Sequence, residues 1–220
     1  MVAPAEPERV PTPAPARAAA TIVLARTSPA TDDVEVLVLR RGAASRFVPG
    51  FVVFPGGSID GEDVGLAERW FGSPDEAARA CAVRELAEEV GLLLTDDGVL
   101  EARTVPNPWA SPPAVERLPQ IGHWIAPDFL PTRFDARFFG ARFEGTARVV
   151  PDGAEADDAW WARPGDLLEG HRQGSVQLAW PTYSTLEALA GCTSVDEVLA
   201  LRIEQVPPPV PSHVAPRPPP

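Results

Sequence analysis

Ser73-Pro74-Asp75-Glu76, followed by fourteen residues without proline or glycine up to Gly91, is the strongest structural instruction in the chain. A cap residue, a proline at the first helical position and an acid three residues after the cap make a helix start, and glycine most readily takes the left-handed turn that ends one. The pattern predicts a helix that starts at the Ser73 cap and runs to about residue 90. It carries Arg84-Glu85-Leu86-Ala87-Glu88-Glu89-Val90-Gly91-Leu92. At about 100° per residue, Glu88 and Glu89 fall about 60° and 40° to either side of Glu85, so three carboxylates share one face. Val83, Leu86, Ala87 and Val90 occupy the other. Any fold of this chain must bury the second face and account for the first.

The body that holds this helix is bounded by proline. Of 27 prolines, five lie in residues 1–20 and eight in residues 206–220. Both segments lack apolar periodicity, which predicts extended, disordered tails around one domain over residues 21–205. Residues 21–26 and 34–40 read as strands, and Phe51-Val52-Val53-Phe54-Pro55-Gly56-Gly57 as a strand ended by a tight turn. Residues 58–71, with Asp60, Glu62, Asp63 and Glu68, read as an acidic loop. Weaker strand signals follow at 120–125, 137–143 and 159–162, and helices near 164–168, 182–190 and 195–203. The expected class is α/β (α+β), a mixed sheet with helices packed on it.

Charge narrows the partners. The 31 acidic residues outnumber the 19 basic ones, giving a net charge of −12, and every basic residue is Arg. That balance argues against nucleic acid, which needs a basic patch to displace counterions. It leaves small anionic ligands open, because a bound divalent cation reverses the local field. No run approaches the roughly 18 apolar residues of a membrane span, and the N-terminal prolines break any secretory leader. Cys81 and Cys192 are too few for a disulfide framework and too far apart for a zinc pair. A soluble cytoplasmic protein is expected, with no membrane partner; a homodimer is compatible. His123, His171 and His213 are scattered and fit no nucleophile pattern, and Cys81 reads as a packing residue.

Three carboxylates at these spacings repel one another in a bare helix. Two accounts remain open from spacing alone: a solvated acidic face, or a ligand set for Mg²⁺ or Mn²⁺, hard cations that take carboxylate oxygens and bridge to phosphates. Arg84 is placed to hydrogen-bond the carboxylates and fix their rotamers. Glu155, with Asp157 and Asp158, reads as a solvated turn, or else as a late carboxylate for the same site.

Position for position, residues 84–92 match the second half of the box of the Nudix hydrolases, R-E-U-x-E-E-x-G-U with U aliphatic, and Phe54-Pro55-Gly56-Gly57 resembles the strand end that opens it. The resemblance implies a Nudix fold, a mixed β-sheet sandwiched between helices, and metal-dependent hydrolysis of a diphosphate linkage in a nucleoside diphosphate derivative. It implies Glu85, Glu88 and Glu89 as metal ligands, the Gly56 carbonyl as a further one, and Arg84 as the orienting residue. One departure stands out. The usual five residues between the last glycine and the next glutamate are eighteen here, residues 58–75. Glu76 keeps the usual spacing to Arg84, yet it stands at the third helical position after Ser73 and is read as a cap residue.

Upstream, the spacing of Arg41, Arg46, Gly50 and Phe54-Pro55-Gly56-Gly57 resembles the signature that precedes the box in coenzyme A diphosphatases, with Gly42 where Ser or Ala is usual. It implies Arg41, Arg46, Gly50 and Gly57 as substrate-binding residues, Arg being suited to bidentate phosphate contacts. Trp124-Ile125-Ala126-Pro127, residues 133–139 and Trp180-Pro181-Thr182 resemble segments of the peroxisomal-type acyl-coenzyme A diphosphatases. In residues 133–139, alternation puts Arg133, Asp135 and Arg137 on one face and Phe134 and Phe138 on the other. The Arg face is expected near substrate, or as a structural ion ladder. The leading expectation is coenzyme A or acyl-coenzyme A, cleaved to 3′,5′-ADP and (acyl-)phosphopantetheine. ADP-ribose or a dinucleotide such as NADH is the alternative on the same fold, and a non-catalytic nucleotide-sensing module is a second.

Overall fold

The computed structural model describes residues 14–43, 45, 48–110 and 112–205. Arg46 and His213 lie outside the described residues, as do residues 1–13 and 206–220 of the expected tails. In order, the elements are β1 (Arg17–Thr27), β2 (Val34–Arg41), β3 (Val52–Val53), β4 (Gly56–Ser58), α1 (Gly61–Phe71), α2 (Ala77–Val90), β5 (Leu92–Thr95) and β6 (Gly98–Glu101). Then come β7 (Gln120–Ile125), β8 (Phe134–Arg142), β9 (Ala156–Ala162), α3 (Pro164–Arg172), α4 (Trp180–Leu189) and α5 (Val195–Ala200).

β1 is the hub. The main sheet has seven strands, with path β3-β2-β1-β8-β7, β4 added on β1 and β9 on β2. β1 and β8 run parallel and the other pairs antiparallel. β5 and β6 form a separate hairpin. Alternation along β1 and β2 sorts their side chains onto two faces. Ala20, Ile22, Leu24, Leu37 and Leu39 pack with Cys81, Ala82, Leu86 and Val90 of α2. Val23, Ala25, Val36 and Val38 pack with Leu186 and Leu189 of α4 and Val195 and Val198 of α5. Each Val, Leu or Ile buried there stabilises by about 1.5–3 kcal/mol. The expected sheet between helices is the result.

Local expectations need four corrections. β1 begins at Arg17 rather than residue 21, because residues 17–20, poor in β-branched signal, are recruited by pairing with β8 on one side and β4 on the other. Residues 61–71 are helix, not loop. Asp60 caps α1, accepting from the Glu62 N–H at 2.7 Å and the Asp63 N–H at 3.3 Å, while the Asp63 carboxylate accepts the Asp60 N–H at 2.9 Å. Gly72, at φ 71°, ends it. Leu66 and Ala67 bury against Ala80 of α2, with Trp70, Phe71 and Trp109 around them. Third, residues 74–76 form a separate 3-10 turn capped by Ser73, whose hydroxyl accepts the Asp75 N–H at 3.2 Å, and the Glu76 carboxylate makes no capping hydrogen bond but pairs with Arg79. Last, the β5–β6 hairpin follows α2 directly.

Candidate active site

α2 runs over β4, so its acidic face meets the two glycines of the Pro55-Gly56-Gly57 turn. The Glu89 carboxylate accepts the Gly56 N–H at 2.9 Å through Oε2. Its other oxygen, Oε1, is buried, has no hydrogen-bond partner among the described residues and lies 3.7 Å from Nη1 of Arg41. Gly57 is where Glu85 arrives. A Cβ on residue 57 would stand 2.5 Å from the Glu85 carboxyl carbon, so only glycine leaves room for that side chain. Gly56 clears the backbone of β1, where a Cβ would stand 2.8 Å from the Thr21 Cα. The turn therefore holds two glycines for two different neighbours.

Burial makes these carboxylates basic. Loss of solvent pushes Glu85 up to about 7, against the opposing pull of Arg84, with the charges of Glu88 and Glu155 adding to the rise. Glu89 is pushed up to about 8, again first by burial, against the Gly56 hydrogen bond and with Glu85 and Glu155 adding to the rise. Glu155, which reads from sequence as a solvated turn, is solvent-exposed and yet close enough for both glutamates to feel its charge. Its backbone is tied down: the Glu155 carbonyl accepts the Gly42 N–H at 2.8 Å, and the Asp152 carboxylate accepts the N–H groups of Ala154, Glu155 and Ala156.

Arg84 connects the cluster to α1. Its Nε and Nη2 donate to the two oxygens of Asp63 at 2.8 and 3.0 Å. Its Nη1 donates to Glu88 at 2.7 Å and lies 3.0 Å from Glu85. Glu88, with 53% of its side chain exposed, is held out along Arg84, whereas Glu89 is 3% exposed. Among the described residues, no three His, Cys, Asp or Glu side chains are placed closely enough to hold a metal ion. The structure brings Glu85 and Glu89 together and leaves Glu88 at the rim.

Other expected residues sort clearly. Gly50, at φ 78°, donates its N–H to the Arg41 carbonyl at 2.9 Å, so it closes the loop that Arg41 opens. Arg133 and Arg137 are not in the cluster. Arg137 pairs with Ala20 in β8, on the far side of β1 from Gly57, which pairs with the same Ala20 from β4. Arg133 fastens loops: its guanidinium donates to the carbonyls of Ala126 at 3.0 Å and Ala14 at 2.7 Å and pairs with Asp128. On the same face, Asp135 pairs with His123 of β7. Cys81 packs under β4, and burial pushes its thiol up, away from the reactive thiolate. Asp63 escaped sequence reasoning, because an acid in an acidic stretch looks solvated. The signal that could have found it is its place three residues after Asp60, a helix-capping interval.

A mixed sheet between helices, with an arginine-anchored acidic helix beneath a Gly-Gly strand end, defines the class. The NUDIX domain model matches residues 15–180, and the chain belongs to that family. Among curated proteins it is 26% identical to acyl-coenzyme A diphosphatase NUDT19 of Xenopus laevis, over 76% of this chain and 63% of that protein. It is 24% identical to the human protein of the same name, over 77% and 64%. The chain thus spans less than two thirds of the length of these relatives. Among solved structures, a NUDIX hydrolase from Alicyclobacillus acidocaldarius shares 32% identity and a TM-score of 0.67, covering 84% of this chain and 96% of that one. The NUDIX domain of Shewanella oneidensis NrtR, solved with ADP ribose, shares the fold at 17% identity and a TM-score of 0.51, over 79% of this chain and 86% of that one.

Proposed function

We propose that this protein is a divalent-metal-dependent hydrolase of the diphosphate linkage in coenzyme A or acyl-coenzyme A. The observation that carries the reading is the buried Oε1 of Glu89, which accepts no hydrogen bond from the described residues and is set beside Glu85, 3.7 Å from Arg41. A buried carboxylate oxygen without a donor costs about 1–3 kcal/mol or more. A hard cation removes that cost, and carboxylate oxygens are the donors it prefers. The buried pair Glu85 and Glu89, with the Gly56 carbonyl as a further oxygen, therefore suits Mg²⁺ or Mn²⁺, and Glu88, held at the rim by Arg84, would complete the set by turning toward them.

When bound, such a cation supplies neutralisation of the diphosphate charge and Lewis-acid activation of water. Everything else falls to the chain. Arg41, at the end of β2 and beside Glu89, is in position to bind a phosphate oxygen as it approaches the cluster. Arg84 fixes the rotamers of Glu85 and Glu88. Gly57 gives Glu85 its place, and the Gly56 N–H fixes Glu89. The attacking water gives its proton to a carboxylate of this cluster while the phosphorus–oxygen bond to the leaving phosphate breaks, positioning and charge stabilisation supplying most of the rate. Support for a coenzyme A substrate comes from the Arg41-to-Gly57 signature and from the two NUDT19 relatives.

The test is turnover of coenzyme A, acyl-coenzyme A, ADP-ribose and NADH with Mg²⁺ or Mn²⁺, with Glu88→Gln as control. The reading predicts 3′,5′-ADP from the coenzyme A substrates and loss of turnover in the variant. Equal turnover by wild type and variant would overturn the metal site, and preference for ADP-ribose would overturn the substrate.

A further inference from the structure

The segment between Gly57 and Glu76 is far longer than the box normally allows, and what it contributes is visible in the contacts of Arg84. The Asp63 side chain is 0% exposed and both its oxygens are engaged. Oδ1 accepts from Nε of Arg84 at 2.8 Å; Oδ2 accepts from Nη2 of Arg84 at 3.0 Å and from the Asp60 N–H at 2.9 Å. The carboxylate is thus pinned from the cap of its own helix and by a two-point contact to the guanidinium. A planar guanidinium held along its Nε–Nη2 edge has one direction left for Nη1. That direction is toward Glu88 and Glu85, at 2.7 and 3.0 Å. Glu76, at the spacing of the box glutamate, pairs with Arg79 instead.

We propose that Asp63 is a positioning residue: acting through Arg84 it sets the rotamers of Glu85 and Glu88, so the inserted helix α1 is a working part of the active site. The inference rests on the reading of Glu85, Glu88 and Glu89 as metal ligands. Removing the Asp63 charge frees the guanidinium to rotate, and both glutamates lose their common anchor. A purely structural Asp63 would instead act only on the stability of α1.

Three variants of the full chain separate these cases: Asp63→Asn, Asp60→Ala and Glu88→Gln. Asp60→Ala removes the side-chain cap of the same helix while keeping the backbone N–H that Asp63 accepts. The readouts are the thermal midpoint, Mn²⁺ affinity of the metal-free protein by electron paramagnetic resonance, and kcat and KM with coenzyme A. Asp63→Asn is expected to weaken Mn²⁺ binding and lower kcat, each by about 10–100-fold, with KM within about threefold of wild type. Asp60→Ala is expected to lower the thermal midpoint while leaving Mn²⁺ affinity and kcat within about twofold. Should Asp63→Asn not fold, Asp63→Glu keeps the charge, displaces the carboxylate by one methylene, and is expected to move Mn²⁺ affinity in the same direction. A folded Asp63→Asn or Asp63→Glu with wild-type Mn²⁺ affinity and kcat, beside an inactive Glu88→Gln, overturns the inference alone. Wild-type behaviour of Glu88→Gln overturns the metal-site reading on which it stands.

Discussion

One methyl group on residue 57 probes whether the Glu85 carboxylate must stand where it does. In Gly57→Ala the new Cβ would lie 2.5 Å from Glu85 Cδ and 3.0 Å from Oε2, and nearer still to Oε1. Ordinary carbon contacts are about 3.5 Å, so the carboxylate has to retreat by about 1 Å. Free space is scarce, since Glu85 is 12% exposed and its Oε1 lies 3.0 Å from Arg84 Nη1. A displacement of about 1 Å at a reacting centre costs about 10²-fold in rate. The expected outcome is a kcat about 100-fold below wild type, with Mn²⁺ binding weakened in parallel. Overpacking costs about 1–3 kcal/mol, and at about 2–4 °C per kcal/mol for a domain of this size the protein stays folded at 25 °C. Gly56→Ala is the contrast, because its Cβ meets the Thr21 backbone at 2.8 Å and the Ala20 carbonyl closer still. Backbone of a central strand cannot rotate aside, so that variant should lose stability and soluble yield first. Steady-state hydrolysis, Mn²⁺ titration and thermal melting distinguish the two. A folded Gly57→Ala with wild-type kcat and Mn²⁺ affinity would refute the placement of Glu85 as a ligand.

Further outcomes follow from the same contacts. Burial raises Glu85 to about 7 and Glu89 to about 8 from an ordinary 4.5, so the native state keeps protons that the unfolded chain has released. Stability from these groups is fully present below about pH 4.5 and is lost as the pH rises through 7 to 8. In a chelator, the thermal midpoint should therefore fall between pH 5 and pH 8, Glu89→Gln should flatten that slope, and a midpoint that climbs over this range would contradict the burial. Mn²⁺ should restore more stability at pH 8 than at pH 6, because protons compete with the metal; melting curves at both pH values check this. Arg41→Ala should raise KM for coenzyme A by about 10–100-fold, the size of a charge-assisted hydrogen bond, whereas Arg137→Ala, across β1 from Gly57, should change it less than about twofold. Equal effects in steady-state kinetics would mean that the substrate crosses β1.

The geometry of the candidate site was legible in the sequence wherever one helix carries it. Three glutamates at positions 85, 88 and 89 and an arginine at 84 are fixed relative to one another by 3.6-residue periodicity, which needs no tertiary knowledge. What the helix meets was not legible. Gly57 is open space for Glu85 only because β4 pairs with β1, and that pairing depends on residues 17–20, whose alanines carry no strand signal. In residues 133–139 alternation assigns a face and not a neighbour; strand order puts β1 between Arg137 and the cluster. Residues 58–71 read as an acidic loop because of their charge, although Asp60 is a cap and Asp63 is buried. A capping box written with two aspartates, rather than with Ser or Thr and Glu, hid a helix.

Spacing in the box then acquires a physical meaning. Arg84 needs a carboxylate to orient it, and chain distance matters only through the entropy of bringing that carboxylate to it. Extending the connection between Gly57 and Glu76 from the usual five residues to eighteen adds about 1 kcal/mol of closure entropy on the logarithmic scaling. One good helix cap contributes about as much, and burial of Leu66 and Ala67 against α2 adds to it. The longer connection is therefore thermodynamically neutral to first order, provided it folds into α1. Once folded, it delivers Asp63 to Arg84 at 2.8 Å, and Glu76 is left to pair with Arg79. An insertion that stayed a loop would have no such offset and would leave Arg84 without its buried anchor. This is why a helix-breaking change such as Leu66→Pro should reach the active site although Leu66 itself packs with Ala67 and Ala80. Proline in a helix interior costs about 3 kcal/mol or more, here concentrated on the element that holds Asp63. The expected result is a protein whose sheet survives, by circular dichroism, with Mn²⁺ affinity reduced at least as much as in Asp63→Asn. Retained affinity would mean that Arg84 finds its orientation without α1.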